Sequence, residues 1–443
     1  MSGGFGWDRG SVKVNEMIKQ GSVLGAVLSA ITIDSLTRIM NNFEKKWNIE
    51  GTEIDPLLFQ DDIFAVNRTE DIQETVNVIE TFQNLKRLHF HEEKTKKSIL
   101  SGKKDEKVTI NGVEVDRVQS HKYLGKMIEE NKGKEEIKQR ITKAIGKTNE
   151  CMSIINKNRF RKKRIDIGLK LLQTEVIPVL TFGAETWPKL TEKEKNDINN
   201  VQTHFLARLL KVPKSTPKCA LIGETNLMKI EHIANQRKLE YYLEINNREE
   251  WRLEVKMRKI QEERNLSYIR EVKELLEYYN IELNLEEGHI NAGRKAIKVA
   301  IRKTNDKEIK EEIAKSKKYQ NIRQIDPLYM KRLNFEDARV IFMIAARMIK
   351  VKNNFKNMHK DLKCDKCDEK VEDTLHLLEC KEYDNINKAI KTMPSVTETL
   401  KCNTTEKVAT VVKHILSIRE GHPIPSAQKT GLIPLDRGRG HRK

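Results

Sequence analysis

Apolar residues recur with two different periods over the first 130 positions, and with one period after Lys132. Between Ile54 and Val66 two short apolar runs, Leu57-Leu58-Phe59 and Ile63-Phe64-Ala65-Val66, are pinched around Gln60-Asp61-Asp62. That pattern predicts two strands joined by a tight turn. From Glu70 to Leu88 the apolar positions Ile72, Val76, Ile79 and Phe82 stand at helical spacing. The stretch Val108-Thr109-Ile110-Asn111-Gly112-Val113-Glu114-Val115 predicts a hairpin, because Asn-Gly suits the two positive-φ positions of a type I′ turn. Its register pairs Ile110 with Val113 and Val108 with Val115, and puts all four on one face.

Beyond Lys132 the pattern is helical. Thr191-Glu192-Lys193-Glu194 has the form of a capping box, followed by Ile198, Val201, Phe205 and Leu209 at helical spacing. Pro213 and Pro217 end that helix and open a loop reaching Gly223; Leu227, Ile230 and Ala234 start another helix. Asn334 is placed to cap a helix holding Ala338, Ile341, Ala345 and Met348. The end of the chain, from about Gly421, is rich in Pro, Gly and Arg and reads as disordered. No internal repeat is visible. The fold class expected is α+β, divided into a mixed part (1–130), two helical regions (131–190 and 191–350), a Cys/His segment (351–385), a helical segment (386–420) and a basic tail (421–443).

Composition narrows the partners. Lys and Arg outnumber Asp and Glu by 83 to 65, a formal charge of +18. Such a surplus favours polyanions, since each phosphate neutralised releases condensed counterions; a solvated Lys-rich surface gives the same count. The longest apolar stretch, Val23 to Ile33, is broken by Gly, Ser and Thr and is too short to cross a bilayer. No basic region followed by an apolar segment opens the chain, so an intracellular protein without a membrane partner is expected, nuclear or cytoplasmic.

Six cysteines do not make a disulfide scaffold in 443 residues. Three of them cluster with a histidine: Cys364-x2-Cys367-x8-His376-x3-Cys380. Three thiolates and an imidazole complete a tetrahedral zinc set with no open position, which implies a structural Zn²⁺. His376 and Cys380 are i and i+4, so a short helix starting near Asp373-Thr374 would aim both at one point, with Leu375, Leu377 and Leu378 packing it onto a neighbour.

The apolar–Asp-Asp–apolar pattern has two readings. Adjacent carboxylates on a tight turn offer hard oxygen ligands suited to Mg²⁺, and two divalent cations roughly 4 Å apart activate a primer hydroxyl and steady the leaving pyrophosphate in nucleic-acid polymerases. Asp-Asp is also ordinary turn chemistry. Other motifs stand in order around it. Lys19-Gln20-Gly21-Ser22-Val23-Leu24 resembles motif B of reverse transcriptases, Phe59-Gln60-Asp61-Asp62 resembles the F/Y-A-D-D box of motif C, Leu88 with Lys94-Thr95 looks like motif D after a short amphipathic strand, and Tyr123-Leu124-Gly125 resembles motif E, the primer grip. Glu185-Thr186-Trp187, the Leu209-Leu210-Lys211-Val212-Pro213 helix end and the Cys/His cluster resemble the region that follows the palm in non-LTR (LINE-like) retrotransposon reverse transcriptases. The resemblance spans about Glu16 to Tyr383.

That resemblance implies an incomplete reverse-transcriptase palm, a thumb-like helical region and a CCHC zinc cluster that binds nucleic acid. Asp61 and Asp62 would hold Mg²⁺; Gln20 and Gly21 would line the nucleotide pocket; Lys94 would approach the triphosphate or stand as a solvated surface lysine; Tyr123, Leu124 and Gly125 would hold the primer. RNA template and DNA primer or target are the partners implied. Gln60 departs from the small residue usual before the aspartate pair, and Gly25-Ala26 and Leu28-Ser29 replace the family's usual residues after motif B. A motif A aspartate and a fingers region belong before motif B; only nineteen residues precede Gln20, and neither Asp8 nor Asp34 has the setting of motif A. The expectation is a polymerase fragment without independent activity, or a non-catalytic RNA/DNA-binding zinc protein derived from such an element.

Arg159-Phe160-Arg161-Lys162-Lys163-Arg164 concentrates five cations around one aromatic ring. It suits a template–primer backbone, a nuclear import signal or a plain exposed helix end.

Overall fold

The computed structural model describes residues 23–101, 105–130, 134–157, 163–283, 290–316, 329–349, 351–358, 360–373, 376–377, 380–383, 409 and 412–413. Gln20, Gly21, Arg159, Arg161 and Lys162 lie outside these described residues. The architecture is α+β, and among the described residues every strand lies in the first 130.

Helix α1 (Val23–Asn41) leads into two short antiparallel hairpins, β1 (Trp47–Ile49) with β2 (Thr52–Ile54) and β3 (Leu57–Phe59) with β4 (Asp62–Phe64). Helix α2 (Ile72–Lys86) follows at the predicted position and ends at Arg87, whose left-handed φ of 52° turns its N–H back to Gln83 and Asn84. Two faces of α2 serve two small cores. Ile79 and Phe82 pack on Leu36 and Met40 of α1 and on Leu58 and Ile63 of the β3–β4 hairpin. Ile72 and Val76 pack on Val108, Ile110 and Val115. Phe82 is fully buried, and burial of a ring that size contributes about 2–3 kcal/mol. The N-terminal half of α1 has no such partner among the described residues: Leu24, Val27, Leu28 and Ile31 are exposed.

Strand β5 (Lys96–Lys97) pairs in parallel with β8 (Asp116–Arg117), and β6 (Thr109–Ile110) with β7 (Val113–Glu114) forms the Asn-Gly hairpin. Asn111 and Gly112 have φ of 53° and 76°, the type I′ geometry expected. Ile110 pairs with Val113, and the Val115 N–H donates to Val108 at 2.8 Å. Val113 is half exposed all the same, because it sits at the tip beyond the reach of α2. Strands β9 (Ser120–Tyr123) and β10 (Lys126–Glu129) make the last hairpin. Among the described residues each sheet has two strands.

The remainder is helical: α3 (Lys134–Ile155), α4 (Arg164–Leu171), α5 (Ile177–Leu180), α6 (Glu192–Leu210), α7 (Lys218–Thr225), α8 (Ile230–Asn246), α9 (Leu253–Glu263), α10 (Ser267–Tyr279), α11 (Ile290–Lys315), α12 (Tyr329–Arg332) and α13 (Phe335–Ala345). A π-turn at Leu172–Val176 joins α4 to α5 just before Pro178, which has no N–H to continue the ladder. The capping box forms as predicted, with the Thr191 hydroxyl accepting from the Glu194 N–H and the Glu194 carboxylate accepting from the Thr191 N–H. Asn334 caps α13 through the N–H groups of Glu336 and Asp337. Two expectations fail. Residues 218–225 are the helix α7 rather than loop, since Pro217 is well placed just before a helix's first turn. Met348 lies past the end of α13, where Arg347 turns left-handed at φ 50°.

One large core runs through α3 to α8, the far end of α11 and α13, so packing is continuous across residue 190. A second core joins α8, α10 and α11 through Leu239, Leu243, Ile269, Val272, Ile297 and Ile301. Helices α4 and α6 come so close at Gly168 that a Cβ there would meet the Leu209 methyl at 2.2 Å.

Candidate functional site

The Asp-Asp turn is built as predicted. Leu57 pairs with Phe64, Leu58 with Ile63 and Phe59 with Asp62, leaving Gln60 and Asp61 as the two turn residues. Gln60 takes φ 54°, the strained left-handed position that a turn this tight demands. Leu58 and Ile63 point into the α1–α2 core, while Phe59, Asp61 and Asp62 are exposed.

The structure brings the Tyr123-Leu124-Gly125 turn against this hairpin, 66 residues along the chain. The Tyr123 ring stacks on Phe64 with centroids 5.0 Å apart, and its hydroxyl donates to the Leu57 carbonyl at 3.3 Å. Burial, and then the negative charge of Asp62, push the Tyr123 phenol up. Leu124 and Gly125 form the β9–β10 turn with φ of 47° and 84°. Arg140 of α3 grips that turn from the other side. Its guanidinium donates to the Gly125 carbonyl and to Glu136 at 2.6 Å, and lies 4.4 Å from the Phe182 ring centroid. Glu136 accepts in turn from the Met127 N–H at 2.6 Å. Both charges are more than nine-tenths buried. Sequence gave no sign of this pair, since Glu and Arg four apart read as a surface ion pair. The β9–β10 hairpin is therefore a bridge between the acidic hairpin and the helical body.

Lys94 is exposed on a turn in which the Thr95 N–H and hydroxyl donate to the His91 carbonyl. The strand expected before it does not form: residues 88–95 are irregular, and β5 begins only at Lys96.

Arg164 corrects another expectation. It is 5% exposed, and its guanidinium donates to the Leu209 carbonyl at 2.8 Å, to Arg208 at 3.3 Å and to the Asn156 side chain at 2.9 Å. It clasps the last turns of α3 and α6 and lies 5.1 Å from the Phe335 ring centroid, so its donors are spent on helix-end carbonyls rather than phosphate. Lys163 beside it is exposed.

The Cys/His residues converge. Ligand atoms of Cys364, Cys367, His376 and Cys380 all lie within 4.8 Å of one another, with Cys367 Sγ 3.3 Å from His376 Nε2. A zinc tetrahedron with bonds of about 2.0–2.3 Å has edges of roughly 3.5–3.8 Å, so the donor set fits the ion. The first two ligands sit on a backbone knuckle. Lys363 bridges Val371, the Cys364 N–H donates to the Lys370 carbonyl at 2.9 Å, and the Glu372 N–H donates to Leu362 at 2.7 Å. The N–H groups of Glu369 and Lys370 point at the Cys367 sulfur and pull its thiol down. Burial instead pushes the Cys380 thiol up to about 11; a cation between the sulfurs would favour all three thiolates. The second pair sits on the expected helical turn, where Asp373 accepts from the His376 N–H at 2.7 Å and the Cys380 N–H donates to the His376 carbonyl at 2.7 Å. Leu375 and Leu378 lie outside the described residues; Leu377 is buried. Cys364, Leu377 and Cys380 belong to the same core as α13, and Glu372, 2% exposed, ties the knuckle to Lys352 and Asn353.

No protein-family model matches this chain, and no curated protein matches it. No helix among the described residues is long and apolar enough to cross a membrane.

Proposed function

We propose that this chain is part of an RNA-directed DNA polymerase of the non-LTR retrotransposon kind, one that binds template and primer but does not synthesise DNA by itself. The observation that carries the reading is that the hairpin presenting Asp61 and Asp62 meets Tyr123 through Phe64 and Leu57 at its base, although sequence order keeps the two motifs about 60 residues apart. In a palm the first supplies metal-binding carboxylates and the second holds the primer end beside them. Asp61 and Asp62 fit Mg²⁺ only in part: they are two exposed carboxylates, and a metal pair needs more oxygen ligands than they offer. Bound Mg²⁺ would activate the primer hydroxyl and steady the leaving group. The residues of this chain would position the strand: Tyr123 fixes the hairpin, and Arg140 with Glu136 fixes Tyr123 on the helical body.

A second reading, a non-catalytic RNA/DNA-binding zinc protein, draws support from the exposure of the aspartates on a two-stranded sheet. Under either reading the zinc cluster acts through stability. Three of its four ligands, Cys364, His376 and Cys380, are buried, and residues 360–373 carry four lysines against six carboxylates, a poor surface for phosphate.

The test is anisotropy with an RNA template–DNA primer duplex, titrated against salt and Mg²⁺, alongside primer extension. The polymerase-fragment reading expects salt-sensitive binding, tightening by Mg²⁺ that Asp61→Asn with Asp62→Asn abolishes, and no extension. Salt-sensitive binding indifferent to Mg²⁺ selects the non-catalytic reading; extension by the purified chain overturns its dependence on further segments; and no binding at low salt overturns both.

A further inference from the structure

A cavity of about 580 Å³ opens between α6, α7, α8, α10 and α11, remote in sequence from both sites above. One side of it is a polar network on α8, its N-cap Lys229 and α11. The Lys229 ammonium lies 2.9 Å from Glu308, 2.7 Å from Glu312 and 3.8 Å from Glu231. His232, 2% exposed, faces Glu308 through Nε2 at 3.1 Å and Tyr279 through Nδ1 at 2.7 Å, and Asn235 donates to the Tyr279 hydroxyl. The walls carry Leu190, Leu275 and the half-exposed ring of Tyr278.

Charge is distributed unevenly around the cavity. Three carboxylates each have their own ammonium: Glu274 with Lys189 at 2.6 Å, Glu192 with Lys195 at 2.6 Å and Glu271 with Lys238 at 2.7 Å. Glu231, Glu308 and Glu312 share Lys229. A protein of net charge +18 thus lines this cavity with six glutamates against four lysines. Phosphate is repelled there. A bare metal ion fares badly too, because Lys229 already holds the point where the carboxylates converge, and an ion would have to displace it. What remains is an organic cation with an apolar body, its methylenes on Leu190, Leu275 and Tyr278 and its ammonium groups toward Glu231 and Glu312.

We propose that this cavity binds a linear aliphatic polyamine of the spermidine class, a role independent of the polymerase reading. Calorimetric titration of the full zinc-loaded chain with spermidine, with magnesium chloride and tetralysine as separate arms at matched ionic strength, tests it. Spermidine binds at one site, Glu231→Gln weakens it roughly tenfold by removing one facing charge, and Glu312→Gln weakens it in the same direction. Lys229→Met, if it folds, binds spermidine more tightly, whereas a purely structural network predicts no gain. Absence of saturable spermidine binding, affinity unchanged in both glutamine variants, displacement by equimolar Mg²⁺, or tighter binding of tetralysine would each overturn the assignment.

Discussion

The acidic hairpin at Asp61–Asp62 and the Cys/His cluster at 364–380 are both tight turns carrying metal-type ligands, yet they are set into the fold in opposite ways. The hairpin has two three-residue strands, a core shared with only two helices, and carboxylates that face solvent. The cluster has its sulfur and imidazole ligands within 4.8 Å of one another, with three of the four buried in or against the core that holds most of the helical body. In the cluster the four ligands complete a set among themselves, and a metal held there would belong to the stability of the fold. In the hairpin the two carboxylates lie open to solvent, and their charge contributes little to folding. Between the two stands the β9–β10 hairpin, holding Phe64 through Tyr123 and α3 through Gly125 and Arg140.

The contrast is broken most directly by withholding zinc from the Cys/His cluster. Chelation, or Cys380→Ser, is expected to lower the melting midpoint of the helical body by more than about 10 °C, because the binding free energy of a closed zinc site is folding free energy. Calorimetry that found the midpoint unmoved would return the cluster to the status of a chance grouping. Next comes Arg140→Ala, which leaves Glu136 buried without its partner and should cost about 3–5 kcal/mol in urea unfolding. A loss below about 1 kcal/mol would mean the pair is hydrated and the bridge loose. Gly168→Ala should cost about 1–3 kcal/mol by forcing α4 from α6 at Leu209, and an unchanged urea midpoint would show that the two helices separate freely. Tyr123→Ala removes one stacked ring and is worth about 1 kcal/mol; amide exchange should rise at residues 57–64 and stay level in α6, and uniform exchange would deny the hairpin contact. Smallest of all, Asp61→Asn with Asp62→Asn should leave stability within about 0.5 kcal/mol of the parent, sharpening the contrast with Cys380→Ser.

Local structure was legible wherever side chains answer to their own neighbours in the chain. The Asn111-Gly112 turn, the Thr191 capping box, the Asn334 cap and the helical phasing of His376 with Cys380 all follow from short-range sterics and hydrogen bonds, and all formed. Expectations failed where a residue's role depended on what lay across the molecule. Val113 has the right face of its hairpin and is left half exposed among the described residues. Arg164 belongs by sequence to a basic run, but the ends of α3 and α6 converge on it and bury it. Residues 218–225 carry two turn-forming prolines just before them and still form a helix, because Cys219, Leu221 and Ile222 have a core to enter. The resemblance motifs named Tyr123 and Asp61 separately.

Sequence by itself determined the donor set of the Cys/His cluster, the two-residue turn that presents Asp61, the helix caps and the surplus of positive charge, since these depend on residue type and spacing over a few positions. Tertiary structure alone decided that Tyr123 meets the acidic hairpin, that Glu136 and Arg140 share a buried pair, and that Lys229, His232, Tyr279 and Glu308 close over one cavity. Those partners are brought together by which apolar faces bury against which. Hydrophobic burial has no direction of its own, so the contacts it creates between distant residues are written in no local pattern.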